Sequence, residues 1–277
     1  MNIDENITII IPTKNRPKWI ERCLIYYDKS KFKGKILVAD STDNNDLIKF
    51  QKVLKKNFQS IVKFINCKGL SFQPAVLKAL HEVETKYVVI NCDDDIIISK
   101  KLHLGLNFLE KNKDYSGFTG KALTIRTFNN LPFCNDIFLT TEKLLESEDE
   151  IPYKRFINFL QNPERAFTVT SKFLAIKAYK LVNSLDSKYL RTFYFGEIFY
   201  ALVLLRAGKV RSFNFGYCIR QSHDNHLFNE FNFYKFISDR SLSKAILLLK
   251  KFLLKLSKNT RVKSSHVDLI LENFYRV

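Results

Sequence analysis

No CxxC pair occurs anywhere in this chain, and its five cysteines (Cys23, Cys67, Cys92, Cys134 and Cys218) lie far apart and in odd number. That spacing suggests neither a disulfide framework nor a zinc knuckle, and it points to a reducing cytosol. No stretch approaches the roughly 20 apolar residues that a membrane-crossing helix requires. The polar start from Met1 to Asn6 has no basic segment leading into an apolar run, so an exported or membrane-integral protein is not expected. Internal repeats and low-complexity linkers are also missing. RNP, zinc-finger and helix-turn-helix signatures are absent as well, so the net charge of +17, spread along the whole sequence, is not read as a nucleic-acid footprint. A phosphate-rich small ligand or an anionic membrane surface accounts for that charge equally well.

What remains is a chain of 277 residues, 46% apolar, long enough to bury a sizeable core. Its first hundred residues alternate strand and helix patterns. Ile7 to Ile11 reads as a buried strand stopped by Pro12, Trp19 to Tyr27 as a helix, Lys35 to Ala39 as a strand ending at Asp40, and Leu47 to Phe58 as a helix. Ile61 to Ile65, Pro74 to Val83 and Tyr87 to Asn91 continue the alternation as strand, helix and strand. This predicts a mostly parallel sheet flanked by helices, with ligands beyond the C-terminal strand ends.

The middle of the chain is less regular. Gly117 to Arg126 reads as a strand, Glu142 to Glu150 as an acidic exposed stretch, and Tyr153 to Lys180 as an irregular mix of aromatic and basic residues. An apolar helix is expected to open at Phe195-Gly196-Glu197 and stop near Gly208. Between Arg240 and Leu256, apolar residues including Leu249 and Leu253 share one helical face, with lysines around the remainder. That basic amphipathic helix fits an anionic inner membrane leaflet, and equally an ordinary helix packed on the domain.

Asp93, Asp94 and Asp95 follow the strand at Tyr87 directly. Adjacent carboxylates repel one another, so a fold that keeps three at a strand end reads first as a cation site. An exposed acidic loop capping the following helix at Ser99 is the plainer alternative.

The series Ile9-Ile10-Ile11-Pro12-Thr13-Lys14-Asn15-Arg16, Ile36 to Ser41 and Tyr87 to Asp95 resembles family 2 glycosyltransferases of the GT-A fold, in their order and approximate spacing. The resemblance covers residues 7 to about 105 and then rests on Gly196-Glu197 and Arg220-Gln221-Ser222-His223. It implies an inverting, metal-dependent transfer of a sugar from a nucleotide-sugar donor, a UDP-sugar first, to a glycan or lipid-linked acceptor in bacterial surface polysaccharide synthesis. By that similarity Mn²⁺ or Mg²⁺ is held by Asp95 first and by His223, while Asp93 and Asp94 share metal and ribose contacts. Cys92 departs from the pattern: many relatives have Leu-Asp where this chain has Asn91-Cys92.

The donor would lie against Pro12, Thr13, Asn15 and Arg16, with Asp40 at the base and Lys68 and Arg220 among the polar contacts. Asp40 fits an Asx turn equally well, and Asn15 fits a helix cap before Pro17. Glu197 is the expected base that takes the acceptor's proton; a helix-end glutamate favouring the dipole is its other reading. The resemblance divides the chain into a nucleotide-sugar-binding half (1–105), an acceptor-binding and metal-completing half (106–226) and a basic helical tail (227–277), with a cytoplasmic location and a peripheral place at the inner membrane face. Two rivals stand beside it. A nucleotidyltransferase would carry a glycine-rich loop where Pro12 to Pro17 has none, and a non-catalytic basic protein would tolerate Asp95→Ala.

Overall fold

The computed structural model describes residues 3–127, 134–139, 147–160, 168–184 and 193–222, with scattered positions between 247 and 265. The strands are β1 (Ile7–Thr13), β2 (Lys35–Asp40), β3 (Val62–Asn66), β4 (Tyr87–Ile90), β5 (Ile96–Ile97), β6 (Tyr115–Thr127), β7 (Cys134–Leu139), β8 (Val169–Ser171) and β9 (Lys209–Ser222). The helices are α1 (Pro17–Lys29), α2 (Asn45–Asn57), α3 (Phe72–His81), α4 (Leu102–Lys111), α5 (Pro152–Leu160), α6 (Lys172–Asn183) and α7 (Phe193–Ala207).

One sheet runs in the order β3-β2-β1-β4-β8-β6-β9-β5, with β7 added to β6. Its first four strands are parallel, as the alternation predicts; β8 then enters antiparallel between β4 and β6, and β9 runs parallel to β6. The sheet therefore continues past residue 105 without a break. β1 lies between β2 and β4 and every one of its residues is buried, which is why its sequence is a nearly continuous apolar run. Ile10 faces the side covered by α3, α5, α6 and α7, while Ile7, Ile9 and Ile11 face α1 and α4. α7 is apolar all round because it lies inside the first of these layers, with Ile198 to Leu205 buried.

Two expectations need correction. Pro12 does not stop β1, which runs on to Thr13. The Ile10 carbonyl accepts from Asn91 on the β4 side and the Thr13 carbonyl accepts from Ser41 on the β2 side. By alternation, the missing N–H of Pro12 faces the side where β4 has already ended, so no ladder bond is lost. The stretch from Tyr153 to Lys180 is more regular than expected, since most of it belongs to α5, β8 and α6. α6 is capped by Ser171, whose hydroxyl accepts from the Leu174 N–H at 3.3 Å. Of the acidic stretch at 142–150, residues 142–146 lie outside the described residues; Ser147 is buried and Glu148 pairs with Arg211.

Candidate active site

β1, β2 and β4 end side by side, in register at Thr13↔Asp40 and Ile10↔Ile90, so the loops that follow them open into one crevice. Asn15 sits in the left-handed region (φ 56°), which asparagine tolerates better than most residues. It does not cap α1, whose cap residue is Arg16. Its side chain instead ties two loops together: the amide donates to Asp43 Oδ1 at 2.8 Å, and its oxygen accepts from the Asp43 and Asn44 N–H groups.

The three aspartates are not an exposed loop. Each is buried, between 4% and 6% exposed, and each faces differently. Asp93 accepts from the Thr13 hydroxyl at 2.7 Å and pairs with the Arg16 guanidinium at 2.7 Å. Asp94 takes the other arm of Arg16 at 3.0 Å. Asp95 accepts at 3.0 Å from the Gln221 N–H near the end of β9. Beneath them the loop backbone is pinned from several sides. Asn91 donates to the Cys92 and Asp95 carbonyls at 3.0 and 2.8 Å, and the buried Cys23 thiol lies 3.1 and 3.3 Å from the carbonyls of Asp93 and Asp95. Arg16 and Arg22 both stack over Trp19, at 4.9 and 4.2 Å from its ring, so two cations are held at the edge of the acidic loop.

The ligand-type atoms of Cys92, Asp94 and Asp95 lie within 4.8 Å of one another. Two carboxylates and a thiol so close together are a chemically suitable donor set for a divalent ion. Asp93, turned toward Thr13 and Arg16, is outside that group; His223 lies outside the described residues. Burial raises the Asp93 carboxyl above its ordinary range against the opposing pull of Arg16, and burial with the nearby Asp94 raises Asp95.

Glu197 lies on α7 and is partly buried. Burial, which Arg220 opposes and Asp95 and Asp94 reinforce, pushes its carboxyl up to about 8. Since α7 begins at Phe193, Glu197 falls beyond the first helical turn, where a helix-dipole role is weak. Gly196 before it allows close packing on α3, because a Cβ there would meet Gln73 Nε2 at 2.4 Å. Arg220, partly buried on β9, is thus electrostatically coupled to both Glu197 and Asp95.

Asp40 forms the Asx turn, accepting from the Thr42 N–H at 3.0 Å, with its second oxygen 3.5 Å from Lys55. Lys68 is exposed after β3, the edge strand, and its backbone N–H bonds Asn66. Pro12 is buried in β1 beside Thr13. Arg22, Cys23, Asn91 and Gln221 support the loop and were not expected from sequence. They bind mainly backbone or through backbone, which leaves little mark on residue type. Cys92 carried a readable signal, a ligand-type side chain directly before three aspartates.

A sheet of this order, with carboxylates gathered beyond the ends of its parallel strands, defines the GT-A class of α/β proteins. The chain belongs to glycosyl transferase family 2, whose model matches residues 8–174. No curated protein matches the sequence. Among solved structures, S. aureus TarS 1–349 in complex with UDP-GlcNAc is similar with a TM-score of 0.59 at 13% identity, covering 98% of this chain and 71% of that one. Against a longer S. aureus TarS chain the coverage is 43% of that chain. The mannosyltransferase PcManGT from Pyrobaculum calidifontis, in complex with GDP-Man and Mn²⁺, has a TM-score of 0.55 at 12% identity over 97% of this chain and 68% of that one. At such identities the likeness is one of fold. No helix among the described residues is long and apolar enough to cross a membrane.

Proposed function

We propose that this protein is an inverting, metal-dependent glycosyltransferase that moves a sugar from a nucleotide-sugar donor to a glycan or lipid-linked acceptor of the bacterial surface. The observation that carries the reading is the compact group of Cys92, Asp94 and Asp95 beyond the parallel strands, with the charges of Glu197 and Arg220 acting on it. The solved structures of similar fold hold UDP-GlcNAc in one case and GDP-Man with Mn²⁺ in another, which supports a nucleotide-diphosphate sugar as donor.

In this reading the donor lies over Pro12 and Thr13, its base toward Asp40 and its diphosphate toward the acidic loop, with Lys68 and Arg220 among the polar contacts. Arg16 holds Asp93 and Asp94 in place through both arms of its guanidinium. Mn²⁺ or Mg²⁺ would be held by Asp94 and Asp95, with Asp93 and His223 as the further ligands the family resemblance implies. When bound, the ion would neutralise charge that grows on the leaving diphosphate. Glu197 takes the proton from the acceptor hydroxyl as that oxygen attacks the anomeric carbon from the face opposite the leaving group. A carboxyl raised to about 8 is a stronger base than an ordinary one, and the nearby Arg220 keeps part of it ionised near neutral pH. The surplus of basic residues would favour the anionic inner face of the membrane, where a lipid-linked acceptor is presented.

Isothermal titration with UDP, with and without Mn²⁺, tests this directly. Binding that needs Mn²⁺ and disappears in Asp95→Ala is the expected result. Silence toward UDP with binding of GDP or CMP would change the donor base, and silence toward all three would remove the transferase reading.

A further inference from the structure

Cys92 stands where a residue in the acidic loop has the most to offer an ion. Its sulfur belongs to the same compact group as the carboxylate oxygens of Asp94 and Asp95. Among the described free cysteines, Cys23, Cys67 and Cys218 are buried, and Cys92 alone is partly open to solvent. Cys23 is spent behind the loop against the carbonyls of Asp93 and Asp95, and Cys67 lies against the Ala75 carbonyl.

The loop is also built to hold these three residues in one arrangement. The Asp95 N–H closes a turn onto the Cys92 carbonyl at 3.3 Å. Asn91, fully buried, clamps both ends of that turn with its amide, and the Gln221 N–H fixes the Asp95 carboxylate. Preorganised donors lose little freedom when an ion arrives, and that is the condition for a tight site.

Resting on the metal-dependent reading above, we propose that the Cys92 sulfur is itself a ligand of the divalent ion, completing with Asp94 and Asp95 a site that selects softer ions over Mg²⁺. Mg²⁺ takes oxygen donors in an octahedral shell and gains little from sulfur, whereas affinity along the first-row series rises beyond Mn²⁺ and thiolates favour the softer members. Burial and the neighbouring carboxylates keep the free Cys92 thiol protonated, so ion binding releases that proton to solvent. The resulting thiolate adds a third negative charge to the two carboxylates, and Arg16 and Arg220 lie near enough to offset the excess. This site would therefore bind Mn²⁺, Co²⁺ and Zn²⁺ in preference to Mg²⁺ at equal concentration.

Co²⁺ titration of the full chain, followed by absorbance, reads the bond itself. A sulfur-to-cobalt charge-transfer band in the near ultraviolet, saturating at one ion per chain and missing in Cys92→Ser, is the expected result. Mn²⁺ binding followed by electron paramagnetic resonance should weaken by about tenfold in Cys92→Ser, with Mg²⁺ affinity unchanged. The wild-type band needs no variant to be seen, so a poorly folded Cys92→Ser protein does not shelter the proposal. Co²⁺ binding without the band, or a band that survives in Cys92→Ser, overturns the Cys92 ligand and leaves the metal-dependent reading standing. Failure to bind any of these ions overturns both.

Discussion

Arg16 and Glu197 give the candidate site opposite kinds of tension. Arg16 satisfies two buried carboxylates at once, and Glu197 is a carboxyl that its surroundings push toward the protonated form. Under the proposed mechanism, Glu197→Gln keeps the shape of the side chain and removes the base, so kcat should fall by about 10²–10⁴-fold. Donor binding by calorimetry should stay within a factor of a few; a variant that retains full turnover would remove Glu197 from the chemistry. The residues around these two were unevenly legible. Thr13, Arg16 and the aspartates were readable as one loop cluster because strand, turn and acid triplet occur in order along the chain, whereas the bonds of Thr13 and Arg16 to Asp93 were not. Asp40 was ambiguous, and the Asx turn it makes is the local feature that made it so. Gln221 was not readable as a contact of Asp95, since it acts through its backbone N–H and any non-proline residue carries one.

At the level of elements, the parallel half of the sheet followed from periodicity, because β1 and β4 are buried on both faces and their helices are amphipathic. β8 escaped notice because three residues, Val169–Ser171, are too few to carry a period, and their placement between β4 and β6 is decided by partners far away in sequence. One tie between elements is open to a pH test. Glu110 on α4 receives hydrogen bonds from Lys86, Lys113 and the Tyr87 hydroxyl, and these hold its carboxyl down at about 2. A depressed carboxyl stabilises the fold above its unfolded value of about 4.3, and the gain is lost as pH falls through the folded value. Thermal melts should show Glu110→Gln less stable than wild type near neutral pH, with the gap closing as pH drops from about 4 toward 2. The effect is modest, since Glu110 is one-third exposed. A gap that widens in acid would contradict this account.

Across the whole molecule, a single sheet carries both the loops around the acidic triplet and the strand that bears Arg220, so the scaffold continues through residue 105 without a break. Two described residues near the C-terminus belong to the core beside it. Leu249 and Leu253, both expected on one apolar helical face, are buried in the layer that contains α3, α6 and α7, while Leu247 is exposed. That part of the apolar face is spent on the protein's own core. Leu253→Ala should cost about 2–5 kcal/mol in denaturant unfolding, as core truncations do, whereas Leu247→Ala should cost under about 0.5 kcal/mol. Equal, small losses at both positions would detach the segment from the core. The remainder of that face lies outside the described residues.

The bond from Gln221 to Asp95 joins residues 126 positions apart. A nascent chain that has emerged only as far as Lys101 already owns every aspartate of the acidic loop, yet it lacks the amide that aims Asp95. Long-range closure is slow compared with the local helices and turns that precede it. The acidic loop is therefore present early in synthesis but gains the bond that fixes the Asp95 carboxylate late, when β9 docks.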